Sequence, residues 1–372
     1  MKVKFSIDAI KAKKQFLPLF STINNSTVLP ILESVLIQKD KDLSFTCTDL
    51  ENTLKIWEPC SGAESFSICL HGRKLKNVIN NSIDPAIVVT GDEKKVTIKN
   101  GEFSITSTLD SKDNYPKSPV IDKKDEISFT IDTKEILPQV QNALLFVSTD
   151  DLRPAMTGIC FMDYKGSLHA VATDAHRLYW GEILKVPAGF KGVSFIISKK
   201  AARLFLLLFK GDKQVKVAYD KTHKRHIRFS SEGKELFSRL IDARYPDWPV
   251  VLPKENNLTF NLLRSQLLSF LKICSPFTDM TTKQLRLTVS KDKITATGGD
   301  QHFDDEFSYS LPLYNPNIKF KDFRFGINVM FPKQALSITK DEYVKIDHSC
   351  EETKAIIIDN NILIMPLMIS HL

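Results

Sequence analysis

The sequence contains no run of apolar residues approaching the roughly 18 needed to cross a bilayer as a helix, so a helical membrane span is not expected. It has no P-loop, no GxGxxG, no GxSxG and no HExxH string. The glycine cradles, nucleophile elbow and paired histidines of the common nucleotide-binding, hydrolase and zinc-protease sites are therefore missing. Cys47, Cys60, Cys69, Cys160, Cys274 and Cys350 form no CxxC pair and no dense framework. Most fall in strand- or helix-like apolar runs, and the expectation is free thiols in a reducing cytoplasm. Met1-Lys2-Val3-Lys4-Phe5 lacks the apolar stretch of a secretory signal. No long low-complexity segment is present.

What is there is a long-range repeat. Cys47-Thr48-Asp49, Ala172-Thr173-Asp174 and Thr297-Gly298-Gly299-Asp300 each follow a strand-like run, and their aspartates lie 125 and 126 positions apart. A period this long is a copied domain rather than a solenoid unit. Other landmarks keep the register: Phe5-Ser6-Ile7-Asp8, Phe129-Thr130-Ile131-Asp132 and Phe260-Asn261-Leu262-Leu263 each open a third as a strand running into a helix. Asp8 and Asp132 are good N-cap residues, and Asn261 is the expected substitute in the third copy. Near the domain ends, Ser107-Thr108-Leu109-Asp110 parallels Ser238-Arg239-Leu240-Ile241-Asp242, and Tyr115-Pro116 parallels Tyr245-Pro246. With 372 residues and a hydrophobic fraction of 42%, each third is large enough for its own core. Three similar domains in one chain point to a scaffold.

Each third reads as strand, helix, several strands, helix, several strands. Helices are expected over about 8–22, 72–81, 133–147, 199–210, 262–275 and 331–338. Pro18 and Pro138 fall inside two of them and predict kinked or shortened helices. Val96, Ile98, Phe103 and Ile105 alternate with polar neighbours, as half-buried strands do. The polar runs Asp122-Lys123-Lys124-Asp125-Glu126 and Lys254-Glu255-Asn256-Asn257 are the expected linkers, giving domains over 1–124, 125–254 and 255–372. The fold class is α+β, with two helices packed on antiparallel sheets in each domain.

The net charge of +7 permits an anionic partner without requiring one. Its distribution says more, because cations recur on the expected helices: Lys11 and Lys14; Arg73, Lys74 and Lys76; Lys134; Lys199, Arg203 and Lys210; Arg264 and Lys272; Lys333. Lys199, Arg203 and Lys210 fall near one helical stripe. Lys199 and Lys200 follow Ser198, a good N-cap, and so oppose the helix dipole by about 0.3–1 kcal/mol each when exposed. On one helix this is a solvated face; recurrence in three domains points to a phosphate-facing surface.

The most enzyme-like string is Thr173-Asp174-Ala175-His176-Arg177. Asp174 and His176 are candidate metal ligands, but a site needs three or four ligands with supporting groups, and nothing nearby in sequence supplies the rest. His223 and His226 sit in the cationic run Lys221-Thr222-His223-Lys224-Arg225-His226, which disfavours a bound cation. Asp304-Asp305-Glu306 reads as a solvated strand or turn. No catalytic residue, metal or cofactor is expected. The C-terminal run Asn361-Ile362-Leu363-Ile364-Met365-Pro366-Leu367-Met368-Ile369 is apolar and uncharged and contains proline, which suits an edge strand. Ile362 and Ile364 read as core, and the methionines beyond suit an adaptable binding surface.

Four motifs in order carry a resemblance to the bacterial DNA polymerase III beta subunit family, the beta sliding clamps. Val28-Leu29-Pro30-Ile31-Leu32 resembles the family's early LPIL segment. Val171-Ala172-Thr173-Asp174-Ala175-His176-Arg177-Leu178 resembles its VATDGHRL strand. Leu240-Ile241-Asp242-Ala243-Arg244-Tyr245-Pro246-Asp247-Trp248 resembles its LIDG-(R/K)-(F/Y)-PDY segment, and Ile364-Met365-Pro366-Leu367 its terminal VMPM. The resemblance covers the whole chain and implies three topologically equal domains forming half of a ring. Two protomers would join head to tail around duplex DNA, and the ring would slide without reading sequence and tether the polymerase.

The resemblance also implies partners and sites. The DNA polymerase, the clamp loader and repair proteins would insert a short peptide into an apolar cleft between the second and third domains. That cleft would be lined by Met156, Thr173, Ala175, His176, Arg177, Leu178, Pro246, Val250, Val251, Leu363, Ile364, Met365, Pro366 and Leu367. His176 and Arg177 become rim or structural residues. The helix cations would face DNA. Phe103 and Ile105 on an edge strand would meet Ile273, Cys274 and Phe277 of a second copy.

The chain departs from the family pattern at Ala175, where the family has glycine, and at Pro249-Val250, where a basic residue is common. It runs on as Met368-Ile369-Ser370-His371-Leu372. The loop Asn24-Asn25-Ser26-Thr27 lacks a basic residue often found there, and Asp150-Asp151 adds negative charge near another DNA-contacting loop. Two rival readings remain open: a metal-dependent nuclease using Asp174 and His176, and a monomeric peptide-binding adaptor.

Overall fold

The structure is a computed structural model that describes residues 2–23, 29–60, 64–187, 189–298, 307–317 and 320–369. The Asn24–Thr27 loop, Val28, Gly299-Asp300, Asp304-Asp305-Glu306 and Ser370–Leu372 lie outside the described residues. The chain is α+β, and its sheets are antiparallel. It divides into two compact units, Met1–Val140 with Lys185–Asp242, and Gln141–Leu184 with Ala243–Leu372.

In the first unit, a four-stranded sheet runs in the order Val3–Asp8, Ala86–Gly91, Lys95–Asn100, Phe103–Thr108. Val3, Phe5 and Ile7 are buried while Lys4, Ser6 and Asp8 face out, the two-residue period of a half-buried strand. The unit's larger sheet runs Phe66–His71, Ser34–Lys39, Leu43–Thr48, Asn52–Glu58, Lys234–Arg239, His226–Ser231, Gln214–Asp220, Glu126–Asp132. Its middle seam sets Leu54 opposite Leu236, residues 182 positions apart in sequence, and makes strands of the first and second thirds one sheet. Aromatic rings fill the space between sheets and helices: Phe16 lies 4.6 Å from Phe45, and Phe5 stacks on Phe66.

The expected first helix is two helices, α1 (Ala9–Gln15) and α2 (Leu17–Thr22), broken at Phe16. Proline explains the break. Pro18 lies in the first turn of α2, where its missing N–H would have had no partner anyway. Asp8 caps α1 by accepting from the Lys11 N–H at 2.9 Å. The helices that follow are α3 (Gly72–Asn80), α4 (Thr133–Ala143) and α5 (Lys199–Phe209). Ser198 caps α5 through the Ala201 N–H at 3.1 Å. α4 contains Pro138 and ends four residues before the expected boundary.

In the second unit, seven strands run Gly158–Tyr164, Ser167–Thr173, Arg177–Lys185, Ile362–Ile364, Ile356–Ile358, Tyr343–His348, Leu258–Leu263. A four-stranded sheet runs Phe307–Pro312, Lys293–Gly298, Gln284–Val289, Phe323–Asn328. Its helices are α6 (Arg264–Cys274) and α7 (Met330–Ile338). The expected Asn261 cap does not form. α6 starts at Arg264 with Leu263 at the cap position and no side-chain cap bond, while Asn261 exchanges backbone bonds with Tyr314.

Candidate functional site

The repeated aspartate builds a turn. Thr173 Oγ1 donates to the Arg177 carbonyl at 2.6 Å and accepts from the Ala175 N–H at 3.1 Å. Asp174 Oδ1 accepts from the His176 and Arg177 N–H groups at 3.0 and 2.8 Å. The first third repeats this bond for bond. Thr48 Oγ1 donates to the Asn52 carbonyl and accepts from the Leu50 N–H, and Asp49 Oδ1 accepts from the Glu51 and Asn52 N–H groups. Leu50 and Ala175 occupy matching left-handed positions, φ 74° and 73°. That conformation favours glycine, which gives a backbone reason for the family residue that Ala175 replaces. The tyrosines repeat as well: Tyr115 Oη donates to the Thr46 carbonyl at 2.9 Å and Tyr245 Oη to the Val171 carbonyl at 3.4 Å, each two residues before the turn threonine.

The second oxygen of Asp174 is taken by Arg177, whose Nη2 and Nε lie 2.6 and 3.0 Å away. Arg177 is 8% exposed, and its guanidinium lies 4.8 Å from the Phe331 centroid and 5.4 Å from that of Phe146, with Gln334 Oε1 accepting a further bond. Both carboxylate oxygens of Asp174 are therefore occupied. His176 is exposed with its ring 6.2 Å from Phe331. Among the described residues no three histidine, cysteine or acidic side chains cluster as a metal site would require.

The C-terminal run continues from this turn. Ile364 pairs with Arg177, Leu363 with Leu178 and Ile362 with Tyr179. Beyond the strand, the Met365 N–H donates to the His176 carbonyl and the Leu367 N–H to the Gly326 carbonyl, both at 2.8 Å. Pro366 falls between these donors, where its missing N–H costs no bond. A Cβ on Gly326 would stand 2.7 Å from the Leu367 carbonyl oxygen, so glycine there permits the close approach. Leu178, Leu363 and Ile364 are buried in the sheet, whereas Met365, Pro366 and Leu367 are half-buried and Met368 is 81% exposed. The accessible part of the run thus begins at Met365.

Pro246, Val250 and Val251 come from a separate segment of the same unit. The short turn Trp248–Val251 is anchored by Trp248, which is buried, donates from Nε1 to Met162 Sδ and packs on Tyr164 and Trp180. The anchor leaves Val250 and Val251 74% and 50% exposed. Met156 is half-buried, in the turn Pro154–Thr157. Sequence reasoning missed Phe146, Phe331 and Gln334, which hold Arg177; no spacing rule links residues so far apart.

Among the predicted helix cations, Lys14, Arg73, Lys76, Arg203, Lys210 and Lys272 are exposed, and Lys199 and Lys333 are half-exposed. Lys74 Nζ reaches Ser107 Oγ at 3.0 Å, and Lys11 pairs with Glu58. Arg264 is committed to the end of α7, donating to the Leu336 carbonyl at 2.9 Å and to Thr339 Oγ1 at 3.3 Å. Lys200 is structural too: its ammonium joins Asp49 at 2.7 Å and the Thr22 carbonyl at the end of α2.

Phe103 and Ile105 lie on Phe103–Thr108, an edge strand of the first unit, with Phe103 52% exposed. Ile273 and Phe277 are exposed at the end of α6. Cys274 does not share that surface. It is fully buried on the inner face of α6, and burial pushes its thiol up to about 11. Close to α6 lies an edge that the sequence did not single out: Phe307–Pro312, where Phe277 packs on Phe307 and Tyr309 stacks on Phe270.

Comparison with known proteins bears on these features. The family model described as DNA polymerase III beta subunit, N-terminal domain, matches residues 3–119, and the central-domain model of the same subunit matches residues 130–247. The chain is similar to the beta sliding clamp of Chlamydia muridarum, 25% identical over 353 residues that make up 93% of this chain and 94% of that relative. It is similar to that of Vibrio cholerae at 23% over 362 residues, 95% of each. Among solved structures, a Pseudomonas aeruginosa sliding clamp bound to griselimycin superposes with a TM-score of 0.89 at 20% identity, covering 98% of this chain and 99% of that one. The beta subunit of Thermotoga maritima gives 0.87 at 18% over the whole of both chains.

Proposed function

The chain belongs to the DNA polymerase III beta subunit family, the sliding clamps of replication, and from that premise we propose that two copies close head to tail into a ring around duplex DNA. The ring slides without sequence preference and tethers the polymerase, the clamp loader and other proteins bearing a short clamp-binding peptide. The chain performs no chemistry and works in the cytoplasm. Each copy contributes domains 1–124, 125–254 and 255–372, a division supported by the bounds of the two matched family domains.

The observation that carries this reading is the pair of open sheet edges. Phe103–Thr108 ends a sheet in one unit and Phe307–Pro312 ends a sheet in the other, each with exposed apolar side chains on or beside it. An edge offers unpaired N–H and C=O groups, and pairing between copies satisfies both. Phe103, Ile105, Ile273 and Phe277 form the joint; buried Cys274 supports it from beneath. Contact with DNA falls to the exposed cations Lys14, Arg73, Lys76, Arg203, Lys210 and Lys272 and the half-exposed Lys199 and Lys333, with Lys74 beside them. Lys11 and Arg264 contribute less, because their charges are engaged within the chain.

The peptide is received by Met365, Pro366 and Leu367 with His176, Ala175, Met156, Pro246, Val250 and Val251. The buried Thr173, Arg177, Leu178, Leu363 and Ile364 hold that surface in place. The apolar rim left by Val250 and Val251 favours a peptide with aliphatic or aromatic anchors. Sedimentation equilibrium at several micromolar tests the ring: a mass near twice 42.2 kDa is expected, and Phe103→Asp yields monomers. A wild-type monomer overturns the ring and leaves a peptide-binding adaptor.

A further inference from the structure

The first unit carries a basic hollow that the proposed ring does not use. It is broad and open, about 870 Å³, and lies over one end of the larger sheet. Its floor is a single row across four strands: Ser67 opposite Gln38, Gln38 opposite Ser44, Ser44 opposite Trp57. Side chains in register across neighbouring strands share a face, and Gln38 Nε2 reaches Ser67 Oγ at 3.5 Å. The floor is therefore hydroxyl, amide and one half-buried indole, with no aliphatic anchor pocket.

Lys39, Lys41, Lys55 and Lys112 surround this floor, against two carboxylates, Asp40 and Asp42. Among the described residues none of the four lysines is ion-paired. Lys39 is only 4% exposed, and its ammonium donates to the Asp40 and Lys41 carbonyls at 3.1 and 2.9 Å, so it is held within the chain and leaves Lys41, Lys55 and Lys112 as the cations a ligand can reach. Lys55 lies over the Trp57 ring, 5.0 Å from its centroid. Glu235, which faces Lys55 across the register, is within 4.0 Å of Arg228.

We propose that this hollow binds a short stretch of single-stranded nucleic acid. Lys41, Lys55 and Lys112 receive its phosphates, a base stacks on Trp57, and the Ser–Gln row bonds to sugar and base edges. Ammoniums outside any ion pair beside a half-buried aromatic ring on a polar sheet face match the needs of a flexible polyanion with flat bases. An acidic peptide would satisfy the lysines but leave the indole and the hydroxyl row without a counterpart.

The test uses the intact chain, a fluorescein-labelled dT12 strand and anisotropy at low salt, with thermal midpoints confirming that each variant folds. Trp57→Ala is expected to weaken dT12 binding by about 5- to 160-fold, the range of one lost base stack, and Trp57→Phe to recover most of it. The combined change Lys41→Glu, Lys55→Glu, Lys112→Glu is expected to abolish binding, and neutralising Lys199, Arg203 and Lys210 to leave it unchanged. Unaltered affinity in Trp57→Ala overturns the proposal in favour of a plain anion patch. Displacement of dT12 by a twelve-residue polyglutamate at equal concentration overturns it in favour of an acidic protein partner.

Discussion

Replacing Arg177 by methionine tests whether the Thr173–Arg177 turn is held by charge or by packing. Methionine keeps an apolar stem between Phe146 and Phe331 but removes both bonds to Asp174. The carboxylate is 17% exposed and is left with two backbone N–H donors and no counter-charge. Removing one member of a buried pair costs roughly 3–5 kcal/mol; the remaining donors and partial solvent access put this case near the lower figure, about 3 kcal/mol. Asp174→Asn keeps the turn-building Oδ1 but leaves the more deeply buried Arg177 without its counter-charge, for about 3 kcal/mol as well. The double variant has neither an orphaned charge nor a lost cap, so it should cost about 3 kcal/mol rather than about 6. Urea unfolding followed by tryptophan fluorescence measures this, since Trp180 and Trp248 both lie in the unit that holds the pair. Single-variant costs that add to within about 0.5 kcal/mol would refute the coupling and leave the aromatic cage as the support.

Three further outcomes are expected. His348 is buried, stacked 4.9 Å from Phe323 and 5.3 Å from Phe325, and burial depresses its pKa from 6.5 to about 4. Its contribution is fully present above pH 6.5 and is lost as pH falls toward 4, where the unfolded chain binds a proton that the folded chain refuses. About 3 kcal/mol should go over that window, and His348→Leu should flatten the pH dependence of the urea midpoint. Deleting Met365–Leu372 should abolish binding of a clamp-motif peptide in calorimetry while the second unit stays folded; retained affinity would move the peptide surface elsewhere. Neutralising Lys199, Arg203 and Lys210 together should lower the salt slope of duplex binding by about 3, and an unchanged slope would place the phosphate contacts on other helices.

The sequence exposed most of the element order because its periodicities are clean, as in Val3, Phe5 and Ile7 against Lys4, Ser6 and Asp8. It gave the cap at Asp8 but not the plain start of α6, where backbone pairing of Asn261 with Tyr314 took the residue that local chemistry had offered as a cap. It marked the Thr-Asp repeat without revealing its meaning: the repeated string serves a turn whose four bonds recur at Thr48 and Thr173. The resemblance implies Cys274 at the joint beside Ile273, and Ile273 is exposed there while Cys274 is not. One residue along a helix turns a side chain by about 100°, enough to bury it. The sequence leaves Arg177 as either a rim or a structural residue, and the approach of Phe331 and Gln334, more than 150 positions away, makes it a buried strut.

The seam between Asn52–Glu58 and Lys234–Arg239 has a bearing on how this chain can be divided. The polar run at 122–126 looks like the natural place to cut, yet separating the first third there would strip a strand from each side of the seam. Each fragment would then present a bare backbone ladder several residues long, with Leu54 and Leu236 losing the partner across it. Such fragments invite pairing with copies of themselves, so the excised first third would be a sticky half-sheet rather than a miniature of the whole.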